Sequence, residues 1–439
     1  MTTLAARGVI WIALYVGVAV APLVFALIGV ARPGQGFLTD FSVALGFVGL
    51  AMIGLQFVLS ARFTPVAAPF GMDALLQFHR QMSYTALAFV YLHPALLVVA
   101  DRDTLGLLNP LKAPWRARMA VAALVALTLL VASSAWRKRL RLSYERWQSL
   151  HGLLAVAAVV GSLAHVFLVD YYVDTRWKEG LWLFMSAAFV SLLVWVRLLK
   201  PLQLRTRPWE IERVALERGD TTTITLRPRG HDGIRFEPGQ FAWFAFARTP
   251  FAITKHPFSF SSSAENAGRI AVSVKARGDF TRSVGGLEPG DLAYVEGPYG
   301  VLSIDRLEGP GFVFIAGGVG ITPIISMLRT MAEREDLRPA ILIYANGEWD
   351  AVTFREELDE LVQTLNLRVV HVLERPPDGW AGETGYVTAE LLQRHLPSQY
   401  RRYQFFVCGP VPMIAAVERA LEALRVSGER VHSERFDLV

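Results

Sequence analysis

The chain has 439 residues, 53% of them hydrophobic, with a mean hydropathy of +0.34, too apolar for an ordinary water-soluble protein of two or three domains. Its net charge of +5 (44 Lys and Arg, 39 Asp and Glu) comes without a basic stripe interleaved with aromatics, which argues against nucleic-acid binding. A single cysteine, Cys408, excludes an internal disulfide and fits a reducing compartment.

The apolar residues concentrate in the first 200 positions, where six stretches are long enough to cross a bilayer as helices: 9–30, 38–61, 73–100, 116–136, 144–169 and 181–199. The first is too long for the apolar core of a signal peptide and has no small-residue cleavage site after it, so it reads as a membrane helix. The connection after the fourth stretch carries Arg137, Lys138, Arg139, Arg141 and Arg146 and is therefore cytoplasmic by the positive-inside rule. Six crossings then put both termini inside, in agreement with Arg7 at one end and Arg197, Lys200, Arg205 and Arg207 at the other. The loop 101–115 runs against this rule, since Arg102, Lys112, Arg116 and Arg118 face outward; Asp101 and Asp103 offset them in part. The expectation is a multi-pass protein of the cell's inner (plasma) membrane, with its water-soluble half in the cytoplasm.

The third stretch holds His79 and His93, and the fifth holds His151 and His165, fourteen residues apart in each case. At about 100° per residue, fourteen steps return to within about 40° of the starting direction, so each pair shares one helix face, with a rise of about 21 Å between members. One histidine in a membrane helix is ordinarily a helix-to-helix hydrogen bonder. Packing does not require the same spacing in two helices, whereas two facing imidazoles are what a haem iron takes as axial ligands. His79 with His151 would hold one haem near the cytoplasmic face, and His93 with His165 one near the outer face.

Residues 201–208, with two prolines and basic neighbours, read as a linker close to lipid headgroups. From 209 to 307 the pattern changes to short alternating runs (222–226, 241–247, 269–275, 292–295) separated by turns such as Pro238-Gly239 and Pro289-Gly290, which suggests an antiparallel β-barrel. From 308 to 439 strands (312–316, 340–344, 368–373, 404–408) alternate with helices such as 353–365, the pattern of a parallel α/β sheet. The fold class expected is thus an all-α six-helix transmembrane bundle (1–200), a β-barrel domain (209–307) and an α/β nucleotide-binding domain (308–439). Apart from the histidine pairing there is no internal repeat and no low-complexity segment.

Three strings in the soluble half bear on chemistry. Gly317-Gly318-Val319-Gly320-Ile321-Thr322-Pro323 follows a strand directly, where a dinucleotide pyrophosphate can lie against bare backbone and a helix N-terminus; a plain tight turn accounts for it equally well, and its spacing is not GxGxxG. Cys408-Gly409-Pro410 ends a later strand at the same sheet edge, though a lone Cys can as well be an inert core residue. His256-Pro257-Phe258-Ser259-Phe260-Ser261-Ser262 offers a flat aromatic and a row of hydroxyls to a planar ring system; taken alone, an ordinary strand of alternating Phe and Ser is the better account.

Taken together and in order, the two His-x13-His helices, PGQF, HPFSFSS, GDFT, GPYG, GGVGITP, CGP and a C-terminal ERF resemble the NADPH oxidase and ferric reductase superfamily over essentially the whole chain. That resemblance implies a two-haem membrane domain fused to a ferredoxin-reductase-like module binding FAD and NADPH or NADH. By it, His256, Pro257, Phe258 and Ser259 match the flavin-binding string, with Phe258 stacked on the isoalloxazine and Ser259 near its N5 atom. Gly278, Asp279 and Thr281 match the turn near the FAD pyrophosphate, with Arg277 as an added charge partner. Gly317, Gly318, Gly320, Thr322 and Pro323 match the nicotinamide-dinucleotide loop, and Cys408, Gly409 and Pro410 the segment beside the nicotinamide ring. Phe436 matches the C-terminal aromatic that covers the flavin until nicotinamide displaces it, although Asp437-Leu438-Val439 extend past it; Glu434 is a weaker match. Phe258, Ser259, Cys408 and Phe436 are the residues expected at the reacting atoms.

Two departures matter. Relatives that prefer NADPH often carry an Arg after the second strand of this sheet, whereas Tyr344 here is followed by Ala345-Asn346-Gly347-Glu348, and an acidic group suits a ribose hydroxyl better than a phosphate. There is also no Ca2+-binding loop and no extra cytosolic module. The activity implied is electron transfer from cytosolic NAD(P)H through FAD and two b-type haems to an acceptor outside. The acceptor is O2, giving superoxide, or a ferric chelate; the outer loops hold no carboxylate or His cluster marking an iron site, which favours O2. A non-enzymatic membrane haem-binding or sensory protein is the rival of another class, and the intact GGVGITP, HPFSFSS and CGP strings speak against it. The partners expected are the lipid bilayer, NAD(P)H and the acceptor, with no obligatory protein partner evident.

Overall fold

A computed structural model describes residues 2–28, 34–67, 69–109, 111–169, 171–173, 175–247, 249–251 and 255–435. The chain forms two compact units, Met1–Lys200 and Pro201–Val439.

The first unit is helical: α1 (Thr2–Leu27), α2 (Phe37–Ser60), α3 (Met72–Ala100), α4 (Trp115–Ala135), α5 (Tyr144–Val169) and α6 (Arg176–Val194). Six helices among the described residues are long and apolar enough to cross a membrane, as the six apolar stretches lead one to expect. Lipid gives apolar side chains no reason to turn inward, and Val9, Leu129, Leu153 and Phe184 accordingly point outward. Close packing rests instead on small residues. A Cβ on Gly49 of α2 would stand 2.9 Å from Val90 of α3, and one on Gly161 of α5 would stand 3.1 Å from Ala123 of α4. α3 therefore lies along α2, and α5 along α4, while the two histidine helices do not pack closely on each other.

Both ends of α6 differ from the sequence expectation. It starts five residues early because Arg176, Lys178 and Glu179 add a charged first turn that hydropathy alone does not mark; Lys178 is folded in at 3% exposure. At the other end, Lys200–Arg205 is helical where a linker was expected. Pro201 lacks an N–H and its ring crowds the preceding turn, so the helix widens ahead of it to a π turn over Trp195–Leu199, with the Lys200 amide donating to Trp195 O.

The second unit contains two sheets. The first joins β1 (Trp209–Glu217), β2 (Thr221–Pro228), β3 (Phe241–Phe246), β4 (His256–Ser259), β5 (Ile270–Lys275) and β6 (Leu292–Tyr299) in the order β4-β3-β6-β1-β2-β5, antiparallel throughout. Alternate residues such as Ile224, Leu226, Phe244, Phe260 and Val272 fill its interior. The second joins β7 (Phe312–Gly317), β8 (Ala340–Asn346), β9 (Leu367–Leu373), β10 (Glu383–Thr384), β11 (Gln404–Gly409) and β12 (Val431–Arg435), all parallel, in the order β10-β9-β8-β7-β11-β12. Helices α7 (Ile321–Glu333), α8 (Arg355–Thr364), α9 (Ala389–His395) and α10 (Val411–Ala423) pack on its faces, so the central strands are buried on both sides and read as unbroken apolar runs. From β7 the chain steps outward through β8 and β9 on one side and through β11 and β12 on the other. Ligands in such sheets sit at that reversal, outside the carboxyl ends of the strands.

Candidate functional site

In the helical unit the four histidines stand as two facing pairs. The ring centres of His79 and His151 are 6.4 Å apart, and those of His93 and His165 are 6.3 Å apart. Two imidazoles on one metal at about 2.0–2.1 Å, with each ring centre about 1.1 Å behind its nitrogen, stand about 6.3 Å apart. Each gap would therefore admit one metal ion between its two imidazoles. Among the described residues no three His, Cys, Asp or Glu side chains gather as a metal site, so neither pair belongs to a larger cluster of such ligands.

Three of these rings are held from the opposite edge, at Nδ1, as a metal ligand's ring would be. His93 Nδ1 lies 3.0 Å from Ser42 O, and His165 Nδ1 lies 2.8 Å from Arg116 O. A carbonyl accepts only, so both rings carry their proton on Nδ1 and leave the Nε2 lone pair free. Ser42 Oγ also donates to His93 O at 2.7 Å, and Gly46, one turn on, lets the ring approach: a Cβ there would sit 3.4 Å from His93. For His151 the partner is Ser134 Oγ at 3.1 Å, a hydroxyl that already donates to Leu130 O at 2.8 Å and accepts the Trp147 indole N–H at 3.2 Å. It can only accept from His151, which fixes the same tautomer. His79 Nδ1 is buried and has no hydrogen-bond partner among the described residues.

In the second unit the glycine string lies at the strand-order reversal. Gly317 ends β7, Gly318 turns with φ +52, and α7 starts after Gly320. This turn rests directly on the end of β11. A Cβ on Gly320 would collide with the Cys408 carbonyl, and Gly317 and Gly409 face each other with room for no side chain on either. Cys408, Gly409 and Pro410 are thus brought against Gly317 and Gly320, and the N-terminus of a 13-residue helix opens beside them. Thr322 Oγ donates to Val319 O at 3.0 Å and closes the turn, with Pro323 buried behind it. Tyr344 braces the other side by donating to Gly318 O at 3.2 Å; burial pushes its hydroxyl up to about 12, so it stays a donor. Asn346, with a buried amide nitrogen that has no partner among the described residues, and Glu348 stand at the same edge. Glu348, 58% exposed, pairs with the 70% exposed Arg375 at 2.9 Å.

The HPFS string forms β4, an edge strand, where Pro257 costs no sheet hydrogen bond. His256 and Phe258 face the same side as Phe244, while Pro257 and Ser259 face the other. Ser259 is 4% exposed, and its hydroxyl has no hydrogen-bond partner among the described residues. A buried hydroxyl left so costs about 1–3 kcal/mol, which fits a polar ligand atom beside it. Thr281 shapes the GDFT turn by accepting from the Arg277 and Gly278 amides at 2.9 and 2.8 Å. Within that turn Phe280, which sequence reasoning passed over, stacks on His256 with ring centres 3.7 Å apart and runs parallel to Phe258. Phe436 lies outside the described residues, as do Asp437, Leu438 and Val439. Glu434 is in register beside Cys408 on β12.

Three family models match the chain in succession: "Ferric reductase like transmembrane component" over residues 45–162, "FAD-binding domain" over 208–287 and "Oxidoreductase NAD-binding domain" over 314–419. Among curated proteins, the chain is 33% identical over 187 residues to NADH-cytochrome b5 reductase 1 of Neosartorya fischeri, covering 40% of this chain and 60% of that protein. The protein of the same name from Aspergillus terreus is 33% identical over 187 residues, with 40% and 63% covered. The chain thus spans less than two thirds of the length of these relatives. The FAD/NAD binding domain of nitric oxide dioxygenase from Vibrio cholerae is similar at 22% identity and a TM-score of 0.47, over 52% of this chain and 98% of that one.

Proposed function

We propose that the chain, which models of a ferric reductase like transmembrane component, an FAD-binding domain and an oxidoreductase NAD-binding domain match in succession, is an oxidoreductase that carries electrons across a membrane from NAD(P)H to an acceptor on the far side. The observation that carries this reading is the pair of 6.4 and 6.3 Å imidazole gaps, each on the same two helices. Bound in place, FAD supplies hydride-to-single-electron conversion and haem iron supplies single-electron transfer. His79 and His151 hold the haem on the cytoplasmic side; His93 and His165 hold the outer one, their rings aimed by Ser42 and Arg116. Gly317, Gly318 and Gly320, with Thr322 and Pro323 shaping the turn, receive the nucleotide's pyrophosphate, and Cys408, Gly409 and Pro410 flank its nicotinamide. Phe258 lies against the flavin ring, Ser259 gives it a hydroxyl, and His256, Pro257, Arg277, Gly278 and Thr281 hold the rest of FAD.

The acceptor proposed is O2, yielding superoxide. A ferric chelate is the second reading, favoured by the positive loop that Arg102, Lys112, Arg116 and Arg118 make on the outer side in this orientation; Arg118 is braced there on Ala113 O and Leu111 O. The test is a spectrum of the purified protein loaded with FAD and haem. NAD(P)H should sharpen a b-type Soret band, and it should drive a reduction of cytochrome c that superoxide dismutase inhibits, or, on the second reading, the reduction of a ferric chelate. A band indifferent to NAD(P)H would instead support the haem-binding or sensory protein.

NADH is the nucleotide that Glu348 suits, because a carboxylate accepts from a ribose 2′-hydroxyl and repels a 2′-phosphate. Its pairing with Arg375 also occupies the cation that a phosphate would need. Glu348→Gln should therefore raise the NADPH-to-NADH ratio of kcat/KM about tenfold, equivalent to about 1.4 kcal/mol. An unchanged ratio in steady-state assays would place the adenosine ribose elsewhere.

A further inference from the structure

We infer that Arg329 is a positioning residue for hydride transfer, binding the helix that begins at the glycine turn to the continuation of the flavin-binding strand; the inference rests on the reading given under Proposed function. Ser326, Arg329 and Thr330 share one face of α7, three and four residues apart. Directly beyond β4, Ser261 and Ser262 lie against that face. Ser326 Oγ donates to Ser262 O at 2.7 Å, Arg329 Nη1 donates to Ser261 O, and Thr330 Oγ1 accepts from the Ala264 amide at 3.0 Å. Ser261, Ser326 and Thr330 are fully buried.

Arg329 alone among these three reaches a third element. Its Nε and Nη2 meet both carboxylate oxygens of Glu357 on α8 at 2.6 Å each, and its guanidinium lies 5.1 Å over the Phe354 ring. On the barrel side, Ser261 Oγ accepts from Ser273 Oγ at 2.9 Å, and Ser273 is in turn 2.8 Å from Thr223. One hydrogen-bonded line therefore runs from β2 and β5 through Ser261 and Arg329 to α8. It stands two residues from Ser259 at one end and within the helix of Gly320 at the other. The two halves that carry flavin and nucleotide cannot slide along this seam without leaving a buried carbonyl and a carboxylate unpartnered.

Hydride transfer moves the nicotinamide C4 hydrogen with its electron pair to the flavin, oxidising NADH to NAD+ and reducing FAD. Its rate depends on a near-contact of about 3–3.5 Å, and a misplacement of about 1 Å costs about a hundredfold. Arg329→Met should slow flavin bleaching by NADH about thirtyfold in stopped-flow mixing of the full-length protein. KM for NADH should stay within about threefold, because the nucleotide's own contacts are on the glycine turn. Amide hydrogen exchange at 261–264 should quicken in the same variant, a readout independent of turnover. Arg329→Lys keeps one donor for Ser261 O but loses the fork on Glu357, and should recover part of the rate. Arg218→Gln, which removes the exposed 2.7 Å pair with Glu356 on another stretch of the same seam, should change the rate by less than about twofold.

Bleaching as fast as wild type in Arg329→Met, with unchanged exchange at 261–264, overturns the assignment. If Arg329→Met loses its FAD, the lysine variant decides: a full wild-type rate there also overturns it. A wild-type protein whose flavin NADH does not bleach refutes the functional reading itself and takes this inference with it.

Discussion

Protein with His93 replaced by Ala is expected to hold half the haem of the wild type and to pass almost no electrons to an outer acceptor. Removing one imidazole from a 6.3 Å pair leaves His165 alone, still aligned by its bond to Arg116 O, but with no opposing ligand. The other pair, some fourteen residues along both helices, keeps both ligands. Acceptor reduction should fall at least about a hundredfold, since a missing carrier in a series cannot be bypassed across a bilayer of about 30 Å. Reduction of a soluble dye by NADH at the flavin should stay within about twofold, because His93 belongs to the helical unit and Gly320, Ser259 and Phe258 to the other. Haem content by pyridine haemochrome, dye reduction and acceptor reduction together check this. Loss of both haems, or of dye reduction along with acceptor reduction, would contradict two separate sites served in sequence.

The second large effect is expected at Gly320. A methyl group there meets the Cys408 carbonyl head-on and approaches Gly409 Cα to 2.8 Å. Both obstacles are backbone in a buried parallel pair, β7 with β11, so neither can swing aside. Gly320→Ala should therefore open the turn proposed to receive the nucleotide and lower kcat/KM for NADH about a hundredfold or more. Bound FAD should be retained, and chemical reductant should still reduce the haems. Gly318→Ala makes the contrast. Its φ of +52 asks for a left-handed residue, but no atom lies within 4 Å of the added carbon, so the cost is limited to about 1–2 kcal/mol of backbone strain. Equal losses in the two variants would mean that strain, rather than contact with Cys408, governs the turn.

The large features were legible in the sequence because each is periodic or local. His79 and His93 declare a shared face by spacing, and GGVGITP after an apolar strand declares a turn. What supports them was not legible, because it is distant along the chain. Ser42 reaches His93 from 51 positions away, and the carbonyl that aims His165 is 49 positions away. A backbone carbonyl leaves no trace in residue identity. Arg329 looked like any helix arginine; its meaning lies in Ser261, 68 residues earlier. The helical stretch Lys200–Arg205 was missed for another reason, since a proline normally ends a helix and here a π turn absorbs it.

The meeting of Gly317, Gly320 and Gly409 has a consequence for how such a chain can change over time. A side chain on Gly320 would meet main chain at Cys408 and Gly409, and one on Gly317 or Gly409 would meet Met413, so none of the three can be enlarged in small steps. On the proposed reading, a substitution that alters coenzyme preference is therefore expected at the rim, at positions such as Asn346, Glu348 and Arg375, rather than at these three glycines.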